Sequence, residues 1–188
     1  MEYVVALRKI EEIEAMKKQL LAHSARDHLL FVFGINTGMK LSEMLPLKKK
    51  DVYLGDNQIV TFLTIYAERG EEYRDVFMND KVKAYLLDYL KSSGLHDEDY
   101  LFFSPKTKKP ISRQQAYRVI HDAALHTGLS EKIGTHTMRK TFGYHAYKQG
   151  VAISLLQKIF HHSTKGETLK YIGISKEESI QTEIDVHL

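Results

Sequence analysis

A histidine and an arginine stand three residues apart in the sequence, at His136 and Arg139. On a helix both side chains would lie on one face, because positions i and i+3 are neighbours there. A planar guanidinium can donate two parallel hydrogen bonds to the non-bridging oxygens of a phosphodiester, and an imidazole beside it can donate a further one. The pair predicts a phosphate site, although two exposed polar residues on an amphipathic helix would have the same spacing.

Two more residues further along the chain could add to this chemistry. His162 follows an apolar segment, and Tyr171 lies nine residues beyond it, although one tyrosine among 11 is most often a packing residue. A metal site at His161 and His162 is disfavoured, because adjacent side chains on a helix point in different directions and no carboxylate lies at ligand spacing. We therefore expect His162 to donate a hydrogen bond to phosphate.

A third group lies near the N-terminus, where Lys40 and Glu43 follow Thr37 and Gly38. The glycine is expected just past the end of one helix, and Ser42 could cap a short helix that Pro46 limits. This junction would project a cation and a carboxylate.

The elements that must position these residues are mostly helical. Apolar residues at spacings of three and four, together with capping residues and glycine stops, predict helices over 7–21, 25–36, 80–91, 113–127, 135–149 and 154–160. Between them, residues 51–78 are rich in β-branched and aromatic residues, which predicts a small antiparallel sheet of two or three strands. Because strands and helices are segregated, the predicted fold class is α+β and mostly helical, not alternating α/β.

Composition narrows the class of protein. The 188 residues suit a single domain, and the absence of cysteine excludes disulfides, thiolate nucleophiles and cysteine-based zinc sites. No apolar stretch approaches the roughly 20 residues needed to cross a membrane, and the first residues have no basic region typical of a signal peptide. We expect a cytoplasmic protein.

Charge is distributed unevenly along the chain. Residues 101–172 contain 12 Lys and Arg against 3 Asp and Glu, a net charge of +9, whereas residues 1–100 and 173–188 each have a net charge of −3. A basic block of this size predicts a polyanionic partner, usually nucleic acid. Charge alone does not discriminate among DNA, RNA, anionic lipid and a lysine-rich solvated surface.

In this order and spacing, the motifs resemble those of the tyrosine recombinase, or phage integrase, family. A family stretch of the form T-G-L-R-x-S-E-L-x-x-L is matched by residues 37–47, and H-x-x-R-H-T-F is matched by residues 136–142. The family's L-G-H-S and T-x-x-Y are matched by residues 160–163 and 168–171, and its hairpin lysine is best matched by Arg69. The resemblance extends over essentially the whole chain.

The resemblance implies a mechanism. Tyr171 would attack a DNA phosphodiester and form a 3′-phosphotyrosyl bond, and a 5′-hydroxyl of a partner strand would reverse the step, with no cofactor, metal or small-molecule substrate. Arg139, Lys40 and His162 would stabilise the pentacoordinate transition state, and His136 would be the leading acid or base near the nucleophile.

The resemblance also implies an assembly. Residues 1–188 would form a single catalytic domain that lacks the family's N-terminal core-binding domain. The tail 173–188 would dock on a neighbouring copy, so that homo-oligomers form on double-stranded DNA. When bound to DNA, the protein would be associated with the nucleoid.

Two departures from the family pattern concern the chemistry. Lys40 replaces an arginine and loses its rigid fork, whereas Arg69 replaces a lysine and, with a pKa above about 12, is a poor proton donor. Loss of a general acid typically lowers a rate by about 10²–10⁴. Cleavage is therefore expected to be slow, or to use another acid.

Three other functions remain open at this point. A recombinase-like DNA-binding protein without cleavage would bind DNA and form no adduct at Tyr171. A type IB topoisomerase would relax supercoiled DNA with the same chemistry. A metal-dependent phosphodiesterase built from the ten histidines would lose activity on chelation.

Overall fold

A computed structural model of the chain describes residues 4–66, 73–129, 132–175 and residue 178. Its helices follow the predicted order, with small antiparallel hairpins after the fourth, and the mostly helical α+β class is confirmed. The helices are α1 (Ile10–His23), α2 (Ala25–Thr37), α3 (Leu41–Met44), α4 (Lys49–Val52), α5 (Asp80–Ser93), α6 (Arg113–His126), α7 (Thr135–Lys148), α8 (Ile153–Phe160) and α9 (Lys165–Ile172). None of the helices in these ranges is long and apolar enough to span a membrane.

The strands form two hairpins instead of one sheet. β1 (Tyr53–Gly55) pairs with β2 (Gln58–Ile59), and β3 (Phe62–Tyr66) pairs with β4 (Tyr73–Phe77), both antiparallel. The β-branched and aromatic run over 59–66 is divided between β2 and β3, because the Val60 N–H donates to the carbonyl of Val52 at 2.9 Å, outside the second hairpin. The second hairpin faces Phe62 and Phe77 outward and Leu63 and Val76 inward.

Helix α2 lies at the centre of the fold. Its residues 27–34 are all buried, and it packs on α1, α5 and α7. On one side, Leu30 and Phe33 join a core with the hairpins and α5, and on the other side Phe31 joins a second core with α1 and α6. The C-terminal end of this rigid helix therefore gives a fixed reference point for the residues that follow it.

Gly38 ends α2 and fixes how its C-terminus meets α7. The residue has φ +61, a left-handed conformation that glycine adopts without a Cβ clash. A Cβ at this position would also lie 2.3 Å from Cδ1 of Phe142 on α7. The glycine of the Thr-Gly motif is therefore required both for the turn and for the close approach of two helices.

Gly143 has a similar role in α7. A Cβ there would lie 2.6 Å from Cγ2 of Ile172 and 2.7 Å from the ring of Phe160. The absence of a side chain lets α8 and α9 pack directly on α7, with Leu156, Phe160 and Ile172 buried between them. This packing brings the end of α9 next to the start of α7.

Candidate active site

An open cleft of about 470 Å³ lies where α7, the α2–α3 junction and the ends of α8 and α9 meet. Five of the six predicted site residues line it: Lys40, His136, Arg139, His162 and Tyr171. Residues separated by more than 130 positions in the sequence are thus brought to one surface. The sixth, Arg69, lies outside the described residues.

Arg139 forms the floor of the cleft. Its side chain donates to the carbonyls of Gly38 and of Ile159, the latter at 3.1 Å, and its guanidinium lies 4.6 Å from the centroid of the Phe160 ring. The residue is only 7% exposed, and burial lowers the pKa of its guanidinium. Because both of these acceptors are neutral carbonyls, most of the positive charge is left for an anion in the cleft.

Tyr171 lies against this guanidinium at the end of α9. Its ring is 4.9 Å from the ring of His162 and 5.2 Å from that of Phe160, the ring on which the Arg139 guanidinium also packs. Lys140 Nζ lies 5.1 Å from the centroid of the same ring. Burial raises the pKa of Tyr171, although Arg139 opposes this. The hydroxyl is therefore protonated at neutral pH, and an attack on phosphorus requires a proton acceptor.

The two histidines of the cleft are neutral at pH 7. Burial lowers the pKa of His136, and Lys140 and Arg139 lower it further. Burial likewise lowers the pKa of His162 below its ordinary value of 6.5. In the absence of an anion, both imidazoles are therefore able to accept a proton.

Thr168 orients the ring of His162. The Thr168 hydroxyl oxygen lies 3.1 Å from His162 Nδ1 and 3.3 Å from the carbonyl oxygen of Thr164. If the Thr168 hydroxyl donates to the Thr164 carbonyl, it accepts a hydrogen bond from Nδ1–H of His162. If the hydroxyl instead donates to Nδ1, the neutral ring carries its hydrogen at Nε2. Either way the ring is held so that Nε2 is the nitrogen free to meet a ligand.

Lys40 occupies the other side of the cleft. It is the N-cap residue of α3, and its backbone N–H donates to Glu43 Oε2 at 2.7 Å, while its side chain is exposed. Glu43 also accepts a hydrogen bond from Arg74 at 2.8 Å. The carboxylate thus holds the backbone at Lys40 and not the ammonium group.

Three cations at or beside the cleft were missed as site residues. Arg113 at the start of α6 lines the cleft, Lys140 lies over the ring of Tyr171, and Arg74 reaches Glu43 from β4. The sequence did contain a signal for Arg74. Side chains alternate along a strand, so a cation two residues before the buried Val76 must face inward.

Within the described ranges, no group of three or more His, Cys, Asp or Glu side chains is close enough together to hold a metal ion. The neighbouring pair predicted to be a poor metal site is separated by the backbone. His161 has φ 57, in the left-handed region, and ends α8, so its side chain and that of His162 leave the chain in different directions.

The profile of the phage integrase family matches residues 7–178 of the sequence. A probable integrase/recombinase of Bacillus subtilis, YoeC, is 41% identical over 177 residues, which is 94% of this chain and 93% of the relative. The type 1 fimbriae regulatory protein FimE of Escherichia coli K12 is 28% identical and is covered over 82% of its length. The chain spans about half of longer relatives, such as 52% of the tyrosine recombinase XerD of Staphylococcus aureus.

Solved structures share the fold. The XerA recombinase superposes with a TM-score of 0.76 at 23% identity, over 94% of this chain and 63% of that protein. The XerH recombinase bound to a palindromic difH substrate superposes with a TM-score of 0.72 at 23% identity, over 94% of this chain and 51% of that protein. A λ integrase dimer bound to a COC′ core site superposes with a TM-score of 0.67 at 13% identity, over 99% of this chain and 51% of that protein.

Proposed function

Because the chain belongs to the phage integrase family, whose relatives include recombinases of similar length, we propose that it cleaves and rejoins double-stranded DNA through a covalent bond to Tyr171. The phenol oxygen attacks the scissile phosphorus while the bond to the 5′-oxygen breaks. The products of this half-reaction are a 3′-phosphotyrosyl linkage and a free 5′-hydroxyl. Attack by a 5′-hydroxyl from another strand reverses the step and joins that strand, without an external energy source.

The observation that carries this proposal is that Tyr171 and Arg139 line one cleft and pack on the same ring of Phe160, where Arg139 acts to lower the pKa of the phenol. The tyrosine therefore lies beside a buried cation whose side chain is anchored on two backbone carbonyls. A phosphate that entered the cleft would find both the attacking oxygen and the charge that stabilises its transition state. Since the two residues belong to the same chain, we expect cleavage in cis.

Proton transfer would involve the neutral histidines. His136 is the candidate to accept the phenol proton, since its imidazole is unprotonated at neutral pH and lines the same cleft. His162 would donate from Nε2 to a non-bridging oxygen. The departing 5′-oxygen also needs a proton, and Lys40 is the candidate among the described cleft residues, with Arg69 as the alternative outside them.

We propose that the substrate is double-stranded DNA and that the protein assembles on it as a dimer or larger oligomer. Support comes from the net charge of +9 over residues 101–172 and from Arg113 at the edge of the cleft. Among proteins that share the fold, the λ integrase is a dimer on a core site and XerH is bound to a DNA substrate. Docking of the tail 173–188 on a neighbouring copy stays a prediction, because most of it lies outside the described residues.

A suicide DNA duplex tests the chemistry. Duplexes with a randomised core and a nick beside it are incubated with the chain, and covalent adducts are recovered and sequenced. The unaltered chain should form an adduct whose tryptic phosphopeptide contains Tyr171, and Tyr171→Phe should form none. Tyr144→Phe, which removes a hydroxyl elsewhere on α7, serves as the control and should leave adduct formation unchanged. An adduct that persists in Tyr171→Phe would refute the assignment of the nucleophile.

A cleavage-deficient DNA-binding protein is the second candidate, and the exposed lysine at position 40 favours it. A flexible ammonium offers a phosphate no bidentate contact. In the same assay this alternative gives duplex binding without any adduct in the unaltered chain. Relaxation of a supercoiled plasmid by the unaltered chain would indicate that the type IB topoisomerase reaction also occurs.

A further inference from the structure

Arg74 is a partly buried cation on the inward face of β4. Along β4 the inward positions are Arg74 and Val76, whereas Asp75 and Phe77 face solvent. The Arg74 side chain is 23% exposed and forms an ion pair with Glu43, which is 17% exposed, at 2.8 Å. A pair this sheltered is screened far less than a surface pair, so its geometry matters.

Glu43 connects this ion pair to the cleft. One carboxylate oxygen, Oε2, accepts both from the Arg74 guanidinium at 2.8 Å and from the Lys40 backbone N–H at 2.7 Å. The α3 helix that begins after Lys40 has only four residues, too few to hold its own first turn rigidly. The ion pair therefore ties the start of α3 to the second hairpin.

The Arg74 side chain is incompletely paired. Its Nε is buried and has no hydrogen-bond partner among the described residues. Its charge also reaches Arg139, since Arg74 lowers and Glu43 raises the pKa of that guanidinium after the larger effect of burial. Two guanidiniums thus share the field of one carboxylate, which leaves a surplus of positive charge beside the cleft.

We propose that Arg74 is the positioning residue for Lys40: it fixes Glu43, Glu43 fixes the backbone of Lys40, and the ammonium is thereby held against the scissile phosphate. This inference rests on the proposed DNA cleavage by Tyr171. The ion pair fixes the backbone from which the Lys40 side chain extends, although the lysine lacks the rigid fork of an arginine. Arg74 acts through other residues and is not among those that line the cleft.

Lysine acylation tests this relay from Arg74 through Glu43 to Lys40 and does not require cleavage. In a Tyr171→Phe background, the chain is treated with an amine-acylating ester with and without nicked duplexes selected for binding from the randomised pool, and modification of Lys40 is quantified by mass spectrometry against Lys91. DNA should protect Lys40, and Arg74→Ala should reduce that protection several-fold at saturating DNA. Asp75→Ala, on the outward face of the same strand, should leave it intact. Equal protection in Arg74→Ala, or no protection in the parent, would overturn the relay.

Single-turnover cleavage supplies a second measurement. We expect Arg74→Ala to slow adduct formation by a few-fold, less than the roughly tenfold loss expected for Lys40→Ala because Arg74 acts through that lysine, with little change in the apparent Kd for DNA. Arg74→Lys, which can keep the ion pair, should recover most of that rate. In a Glu43→Gln background, Arg74→Ala should have almost no further effect, because both changes break one relay.

The outcomes separate the two proposals. Additive effects of Arg74→Ala and Glu43→Gln would mean that Arg74 acts on its own, which would overturn the relay and leave the nucleophile untouched. Absence of any adduct in the unaltered chain would refute the proposed cleavage, and the acylation result would still decide whether Arg74 positions Lys40.

Discussion

The cleft and the residues behind it form two halves that are built differently. The helical half consists of His136, Arg139, His162 and Tyr171, on or between α7 and α9, and the hairpin half consists of Lys40 with Glu43 and Arg74 behind it, at the start of α3, on α3 and on β4. In the helical half the cation is bonded to backbone carbonyls and packed on an aromatic ring. In the hairpin half the partly buried cation is paired with a carboxylate, and the cation that faces the cleft is exposed.

This difference indicates which cations keep their positive charge available to stabilise a transition state. Carbonyl acceptors orient Arg139 without neutralising it, so that its charge remains available for the transition state. A carboxylate orients Arg74 and neutralises most of its charge, so that Arg74 is suited to hold a neighbour in place. We therefore expect substitutions in the helical half to affect the chemical step more than substitutions in the hairpin half.

The largest difference is expected between Arg139 and Lys40. Arg139→Ala should lower the single-turnover rate of adduct formation by about 10²–10³, because it removes a preorganised bidentate donor from a buried site. Lys40→Ala should lower it by roughly tenfold, less than the usual loss of a general acid, because its ammonium is exposed and water can replace it as the proton donor. Rates on the nicked duplex at saturating protein make the comparison, and equal losses in the two variants would contradict it.

Packing beneath the helical half gives the next largest effect. Gly143→Ala should destabilise the fold by about 1–3 kcal/mol, because the new methyl group would displace Ile172 and Phe160. Gly166→Ala in α9 is a matched control, since its Cβ would meet nothing closer than 3.9 Å. That control should stabilise the fold by about 0.4–1 kcal/mol, because alanine at a compatible helical position restricts the unfolded chain more than glycine does.

Urea unfolding of both glycine variants measures these free energies. Opposite signs for the two substitutions are the expected result. Destabilisation by Gly166→Ala as large as that by Gly143→Ala would mean that close packing of α7 on α9 is not what the glycine provides.

The two halves also differ in how well the sequence predicted them. The order and spacing of the motifs predicted four residues of the helical half that the structure brings to one cleft. Periodicity placed α7 and α8 within a few residues of their observed ends, whereas α9 was predicted only as a last helical turn before Tyr171. Local spacing is informative here because one or two neighbouring elements carry each contact.

The hairpin half depends on contacts that are distant in sequence. Arg74 and Glu43 are 31 residues apart, and only the tertiary fold brings the inward face of β4 onto α3. The division of the strands was missed because the hydrogen bond from the Val60 N–H to the carbonyl of Val52, which ends the first hairpin, leaves no trace in the run of β-branched residues. The apparent exchange of arginine and lysine concerned only positions 40 and 69, so Arg74 was not predicted as a site residue. Its position two residues before Val76 nevertheless places its side chain on the inward face of β4.

Acidity should affect the fold and the DNA complex in opposite directions. The folded pKa of His136 and of His162 lies below the ordinary value of 6.5, so the stability that their neutral forms contribute is present above pH 6.5 and is lost as pH falls through the folded pKa. A bound phosphate raises both pKa values, so that the complex takes up protons and affinity for DNA rises over the same interval. Thermal unfolding and fluorescence anisotropy at constant ionic strength, from pH 8 to 5.5, measure the two trends.

His28 separates the two trends. Burial also lowers its pKa, but it packs on Tyr85 of α5 and does not belong to the residues that line the cleft. His28→Gln should therefore reduce the pH dependence of stability and leave that of DNA affinity unchanged. The double variant His136→Gln with His162→Gln should flatten the pH dependence of affinity. A steep acid-enhanced affinity that survives in the double variant would place the titrating group elsewhere.

The smallest effect is expected from restoring an arginine at the hairpin half. Lys40→Arg offers the phosphate a planar fork, but the side chain is exposed and its backbone is already fixed by Glu43. Competition from solvent and the rotamer freedom of the side chain therefore remove most of the possible gain in the rate of adduct formation. We expect a rate increase of a few-fold in adduct formation, with the apparent Kd for DNA unchanged. A gain as large as the loss in Arg139→Ala would show that the two halves carry equal shares of the transition-state charge, since a fork at position 40 would then act as strongly as the buried one.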